Sequence, residues 1–126
     1  MKIDYVLKSD GLNIVDAYSQ GAVVISNVTY QSSLILCATD IINDWPPQTS
    51  AELTAHHLQQ VISLDPEIVI LGTGSKIVFP PDEVLQPVIS NRIGYEIMDT
   101  GAACRSYNFL VAEGRRVVAA LFMIGQ

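Results

Sequence analysis

The residues of this chain best suited to chemistry fall in two short stretches. The first is Gly72-Thr73-Gly74-Ser75-Lys76, which follows the apolar run Ile68 to Leu71. A Gly-rich turn directly after a buried strand brings backbone amides out at a carboxyl strand end, where open α/β sheets bind ligands. It is not a P-loop, which needs adjacent Gly-Lys-Ser/Thr, and Ile77 stands where a dinucleotide fingerprint needs its third glycine. The second stretch is Thr100-Gly101-Ala102-Ala103-Cys104-Arg105, small side chains at the start of a helix, which leave N–H groups open to an anion. Arg105 on the first full turn offers bidentate contacts to a carboxylate or phosphate, and Asn108 follows in mid-helix. Gly72, Thr73, Gly74, Thr100, Arg105 and Asn108 therefore form the candidate anion or small-molecule site, provided that both stretches reach one sheet edge. Each also has a plainer reading, which we prefer: glycine for a tight turn, small residues for close helix–sheet packing, Asp99 as the helix cap, and Asn108 bonded to a neighbouring loop.

Catalytic constellations are harder to find. Cys104, near a helix N-terminus and beside Arg105, is a candidate reactive thiol. A nucleophile also needs a base, and only His56 and His57 are available, on a different helix. His57 falls on an apolar stripe and His56 lies about 100° round the helix from it, so they do not share a metal. Cys104 reads better as a buried small residue, His57 as a core-edge residue and His56 as a solvated one. No G-x-S-x-G elbow, H-E-x-x-H or paired-cysteine zinc pattern occurs. The pair Asp82-Glu83 suits the first turn of a helix, where the dipole favours acids. No catalytic residue, metal site or cofactor is assigned, and the chain reads more as a binder than as an enzyme.

Composition supports this. In 126 residues, 49% are hydrophobic and 16% charged, which suits a single globular domain over 1–126 and excludes general disorder. The net charge of −6 opposes nucleic-acid or anionic-membrane binding by default. Three of the four arginines (Arg105, Arg115 and Arg116) lie within twelve residues. Glu113, Arg115 and Arg116 bracket a turn, where local ion pairing is the default and a partner patch the alternative. Two cysteines without a C-x-x-C partner make no disulfide framework. The opening residues interrupt their apolar positions with Asp4, Lys8 and Asp10, unlike a signal or transit peptide. The longest apolar run, Val117 to Ile124, is far short of the ~18–20 residues of a membrane span. A reducing cytoplasm is the simplest address.

These residues must be positioned by an α/β framework. Gly21–Ser26 and Ser33–Ala38 are Val/Ile/Leu-rich runs that read as an N-terminal hairpin across Asn27–Ser32. Both faces of each are apolar, as in strands covered on two sides. Trp45-Pro46-Pro47 marks a loop. Thr49, with Glu52 three residues on, forms a capping-box pattern that opens a first helix ending at Asp65-Pro66. After the strand Ile68–Leu71, Pro80 and Pro81 open a second helix, interrupted by Pro87 and stopped at Gly94. Tyr95–Met98 is a strand. Asp99 or Thr100 caps a third helix that runs to Glu113 and stops at Gly114, with Ala103, Tyr107, Leu110 and Val111 on its buried face. Val117–Ile124 is the last strand, either central or free to pair between subunits. The result is an α/β domain with a mixed sheet, an N-terminal hairpin and about three helices.

Ile70-Leu71-Gly72-Thr73-Gly74, together with Gly94 to Leu121 (GYEIMDTGAACRSYNFLVAEGRRVVAAL), resembles a small family typed by an archaeal hypothetical protein. That family includes bacterial domains of unknown function and the mitochondrial assembly factor 3 of NADH:ubiquinone oxidoreductase. The resemblance covers essentially the whole chain. It implies a three-layer fold around a mixed sheet and no established catalytic activity. Because the mitochondrial members act through protein partners, the resemblance, together with the missing catalytic constellation, points to a protein-binding or assembly module with a protein partner. No cofactor is expected, and the apolar last strand leaves a homo-oligomer open.

Overall fold

A computed structural model describes residues 11–125. Its strands form two sheets. β1 (Val15–Ser19), β2 (Ala22–Ile25) and β3 (Val28–Tyr30) make an antiparallel meander. β4 (Leu34–Cys37), β5 (Ile41–Ile42), β6 (Ile68–Thr73), β7 (Gly94–Met98) and β8 (Val117–Phe122) make a mixed sheet in the order β5-β4-β8-β6-β7. β6 is parallel to both β7 and β8, while β4 is antiparallel to both β5 and β8. The last strand is thus central rather than free to pair between subunits.

The expected pairing of Gly21–Ser26 with Ser33–Ala38 does not occur. Ser26 and Asn27 both take left-handed φ, 51° and 67°, which closes a turn in two residues. The chain reverses at once, so Val28–Tyr30 becomes the partner of β2, and Ser33–Ala38 crosses to the other sheet beside β8.

Residues of β8 alternate between two cores. Val117, Ala119 and Leu121 face one, with Ile70, Cys104, Tyr107 and the meander's Val15 and Ile25. Val118, Ala120 and Phe122 face the other, with Leu58, Val61, Leu85 and Val88. Covering on both faces explains why β4, β6 and β8 read as unbroken apolar runs. In the second core the Trp45 ring stacks on Phe122 at 5.5 Å and meets His57 edge-on at 5.9 Å. Its Nε1–H donates to Gln60 Oε1 at 3.0 Å.

Helix α1 (Ala55–Ile62) starts later than the Thr49–Glu52 pattern suggests. Those residues form only a 3-10 turn with no side-chain cap, because Leu53 is extended and turns inward to the core. Glu52 Oε1 accepts from the Gln48 N–H instead. The working box is Thr54 with His57: Thr54 Oγ1 accepts from the His57 N–H, and His57 Nδ1 accepts from the Thr54 N–H at 3.0 Å. Helix α2 (Asp82–Ser90) opens after Pro80-Pro81 as expected, with Pro87 inside it. It ends before Gly94, however: Arg92 supplies the left-handed residue, and Gly94 instead opens β7 opposite Ile68. Helix α3 (Thr100–Ala112) is capped by Asp99, whose Oδ1 accepts from the Ala102 N–H, and Gly114 follows with φ 78°.

Candidate functional site

The Gly-rich turn and the start of α3 meet, as the sequence requires for a shared site. The Gly74 N–H donates to Thr100 Oγ1 at 2.8 Å, and the Thr100 N–H donates to Gly74 O at 2.9 Å. The Thr100 hydroxyl in turn donates to Phe122 O at 2.6 Å. Thr100 is fully buried and Gly72 and Gly101 are buried beside it. Donors that would have received an anion are therefore spent on locking α3 to the ends of β6 and β8. The glycines serve this close approach. A Cβ on Gly72 would lie 2.9 Å from Ala103 Cβ, and one on Gly101 would lie 2.9 Å from the Tyr18 ring. Gly74, at φ 98°, makes the turn itself.

Arg105 and Asn108 are held by the meander instead. Arg105 projects outward from α3, and its Nη1–H donates to Tyr18 Oη, with the guanidinium 5.9 Å from the Tyr18 ring centre. It also lies at the rim of a groove of about 360 Å³, with Glu96 and with Met98, Phe109 and Leu110. Asn108 is fully buried. Its Nδ2–H donates to Val15 O at 2.9 Å, and its Oδ1 accepts from the Val15 N–H at 2.8 Å. The expected loop partner is thus a strand, and both ends of the amide are engaged. Of the six candidate residues, Gly72, Thr73, Gly74 and Thr100 come together, while Arg105 and Asn108 are tied to β1.

Cys104 lies fully buried in the first core, where desolvation pushes its thiol up to about 12 despite the opposing Arg105 charge. Burial also pushes the Tyr107 hydroxyl upward, and that hydroxyl donates to Asn13 O at 2.7 Å. His57 packs beside Trp45 in the other core, so the sheet separates it from Cys104. Among the described residues no group of three or more His, Cys, Asp or Glu is placed to hold a metal. Arg115 Nε pairs with Glu67 Oε1 at 3.2 Å, and the Arg116 N–H donates to the same oxygen at 2.9 Å. The amide and the Arg115 side chain hold the Glu67 carboxyl below its ordinary range. The partners of these arginines are thus Glu67 and Asp65 before β6, rather than Glu113 of the same turn.

The sequence reading passed over Ile77-Val78-Phe79. These three consecutive side chains are 50%, 46% and 73% exposed. Thr73 fixes the loop that carries them: its hydroxyl donates to Lys76 O at 2.5 Å and accepts from the Val78 N–H at 3.0 Å. The available signal was a run of apolar residues between a glycine turn and Pro80-Pro81, belonging to no strand or helix pattern.

A family model described as a protein of unknown function (DUF498/DUF598) matches residues 15–122. The chain belongs to that family. The crystal structure of a Bordetella parapertussis protein superposes on this DUF498/DUF598 chain with a TM-score of 0.85 at 38% identity, covering 90% of this chain and 97% of that one. A Francisella tularensis protein called 13 kDa major membrane protein is 30% identical over 101 residues, which are 79% of this chain and 82% of that protein. Mouse NADH dehydrogenase (ubiquinone) 1 alpha subcomplex assembly factor 3 is 33% identical over 110 residues. The match is 85% of this chain and 58% of the mouse factor. The relationship carried by Ile70–Gly74 and Gly94–Leu121 therefore holds along the chain. No described helix is long and apolar enough to cross a membrane.

Proposed function

We propose that this DUF498/DUF598 chain is a non-catalytic protein-binding or assembly module that engages its partner through the Ile77–Phe79 loop at the carboxyl end of the sheet. The observation that carries this is Phe79, 73% exposed on a loop fastened by the Thr73 hydroxyl. Aromatic side chains presented rigidly make effective interface anchors, because little entropy is lost when they are covered. The mouse relative's name as an assembly factor agrees with such a role. Cross-linked pull-downs from native lysate with wild type and Phe79→Ser test it. A protein enriched by wild type and lost with Phe79→Ser is expected; equal enrichment by both would remove the loop from the interface.

A second reading is a small-molecule or anion binder, favoured by the exposed Arg105 guanidinium at the rim of the groove beside Met98 and Phe109. A thermal-shift panel of phosphate, nucleotides and carboxylate metabolites tests it. A ligand at ~100 times its Kd adds ~2.7 kcal/mol, and on this reading that shift disappears in Arg105→Ala. The buried free thiols of Cys37 and Cys104 agree with a reducing cytoplasm. Fractionation decides the compartment, with the Francisella relative's name giving recovery in the membrane fraction as the contrary outcome.

A further inference from the structure

β7 lies at the edge of the mixed sheet beside β6, and among the described residues nothing pairs with its other side. The Gly94 N–H donates to Glu67 O, and the Met98 carbonyl accepts from the Thr73 hydroxyl, so both residues turn their main-chain groups toward β6. In a parallel pair alternate residues face the neighbour. Glu96 therefore faces β6 as well, while Tyr95 and Ile97 turn their N–H and C=O groups outward. Such open groups at a sheet edge accept an added strand.

The side chains of β7 supply the specificity. Ile97 packs against the second core, whereas Glu96 and Met98 turn to the α3 side. There they line the groove of about 360 Å³ together with Ile68, Arg105 and Phe109. Phe109 is exposed, and Gly94 brings no side chain to the end of the groove beside Ile68. Arg105 has five N–H donors, of which Nη1–H goes to Tyr18. The ion pairs among the described residues belong to Arg115 and Arg116, so Arg105 and Glu96 keep their charges for whatever enters the groove.

A second copy does not match this edge. Antiparallel pairing of β7 with itself through both Tyr95 and Ile97 centres on Glu96, which then stands opposite the same residue of the other copy. Like charges directly opposite are unfavourable. The strand that fits has a base opposite Glu96, an acid opposite Met98 for Arg105, and an apolar side chain opposite Gly94. We propose that β7 and α3 receive an extended segment of a partner protein with that pattern, running antiparallel and lengthening the sheet by one strand. This contact is separate from the Ile77–Phe79 loop and stands or falls without it.

The probe is acetyl-Thr-Glu-Val-Lys-Thr-Leu-Thr-amide, titrated into isotope-labelled chain and read by amide chemical shifts and hydrogen exchange. Saturable binding is expected, with exchange at the Tyr95 and Ile97 amides slowed about tenfold or more. Glutamine for the peptide's glutamate, or Arg105→Ala in the chain, should each weaken binding about tenfold, the scale of a charged hydrogen bond. Both changes together should cost no more than either alone. Methylating the peptide nitrogens of valine and of the threonine after lysine, which face β7, should abolish binding while leaving the protein untouched. Equal binding of the methylated peptide overturns the added strand and leaves only a carboxylate held by Arg105. No saturable binding, or unchanged exchange at Tyr95 and Ile97, overturns the proposal outright. So does protection of those two amides that grows with protein concentration in the absence of peptide, because a second copy would then hold the edge.

Discussion

Replacing Asn108 with alanine strands two backbone groups of Val15, a residue with no solvent exposure. Each buried group left without a partner costs about 1–3 kcal/mol, so the pair predicts a loss of about 2–6 kcal/mol. Unfolding entropy of ~2.1 cal/mol/K per residue makes each kcal/mol worth roughly 4 °C in a chain of this length, and so a Tm drop of roughly 8–23 °C. Urea unfolding followed by far-UV circular dichroism gives the free energy, and calorimetry gives the Tm. Asn108→Leu separates the causes, since it restores volume without restoring either hydrogen bond. It should lose about 2 kcal/mol or more if the orphaned groups dominate. Hydrogen exchange at the Val15 amide should accelerate in both variants. A loss below about 1 kcal/mol in both, with Val15 still protected, would refute the reasoning: β1 would then be held on α3 by apolar packing alone.

The cap of α1 yields a paired test: Thr54→Ala should lose about 0.5–2 kcal/mol by chemical denaturation, whereas Thr49→Ala, at a position with no cap bond, should stay within about ±0.5 kcal/mol. Burial, aided by the His56 charge, lowers the His57 pKa from 6.5. The unfolded chain thus binds that proton more readily, and the contribution of His57 to stability should be present above about 6.5 and lost as the pH falls below it. Cys104 works in the opposite direction. Its thiol rises from 9.0 to about 12 on folding, so its contribution is full below 9 and fades as the pH climbs toward 12. Alkaline melts of Cys104→Ala should therefore fall less steeply than wild type, and native Cys104 should alkylate much more slowly than in urea, because burial both shields the thiol and disfavours the thiolate. Rapid native labelling of Cys104 would contradict its burial.

The parts of the fold legible in the sequence are those whose signals are local. β4, β6 and β8 are unbroken apolar runs, and Asp99 and Gly114 bracket α3. β1 was not legible because Asp16 interrupts it, and β3 and β5 have only three and two residues, too few for a period to register. Partner choice failed at Ser26-Asn27, where two left-handed residues decide the pairing and neither is a glycine. The same limit governs the candidate site. Proximity of the Gly-rich turn to α3 follows from strand order. Mutual satisfaction of their donors depends on the orientation of the Thr100 hydroxyl, which no spacing encodes. Asn108 stood out as a polar residue in mid-helix, but its partner lies 93 positions away.

The placement of Trp45 has an optical consequence. As the chain's one tryptophan, it lies against Phe122 and His57 on a single face of the central sheet, whereas Tyr18 and Tyr107 occupy the opposite face. Indole emission therefore follows the melting of one core, and tyrosine absorbance follows chiefly the other. Two colours of light interrogate the two sides of β8 separately. Because that strand lends alternate residues to both cores, its integrity is what would make the two signals disappear in one cooperative step.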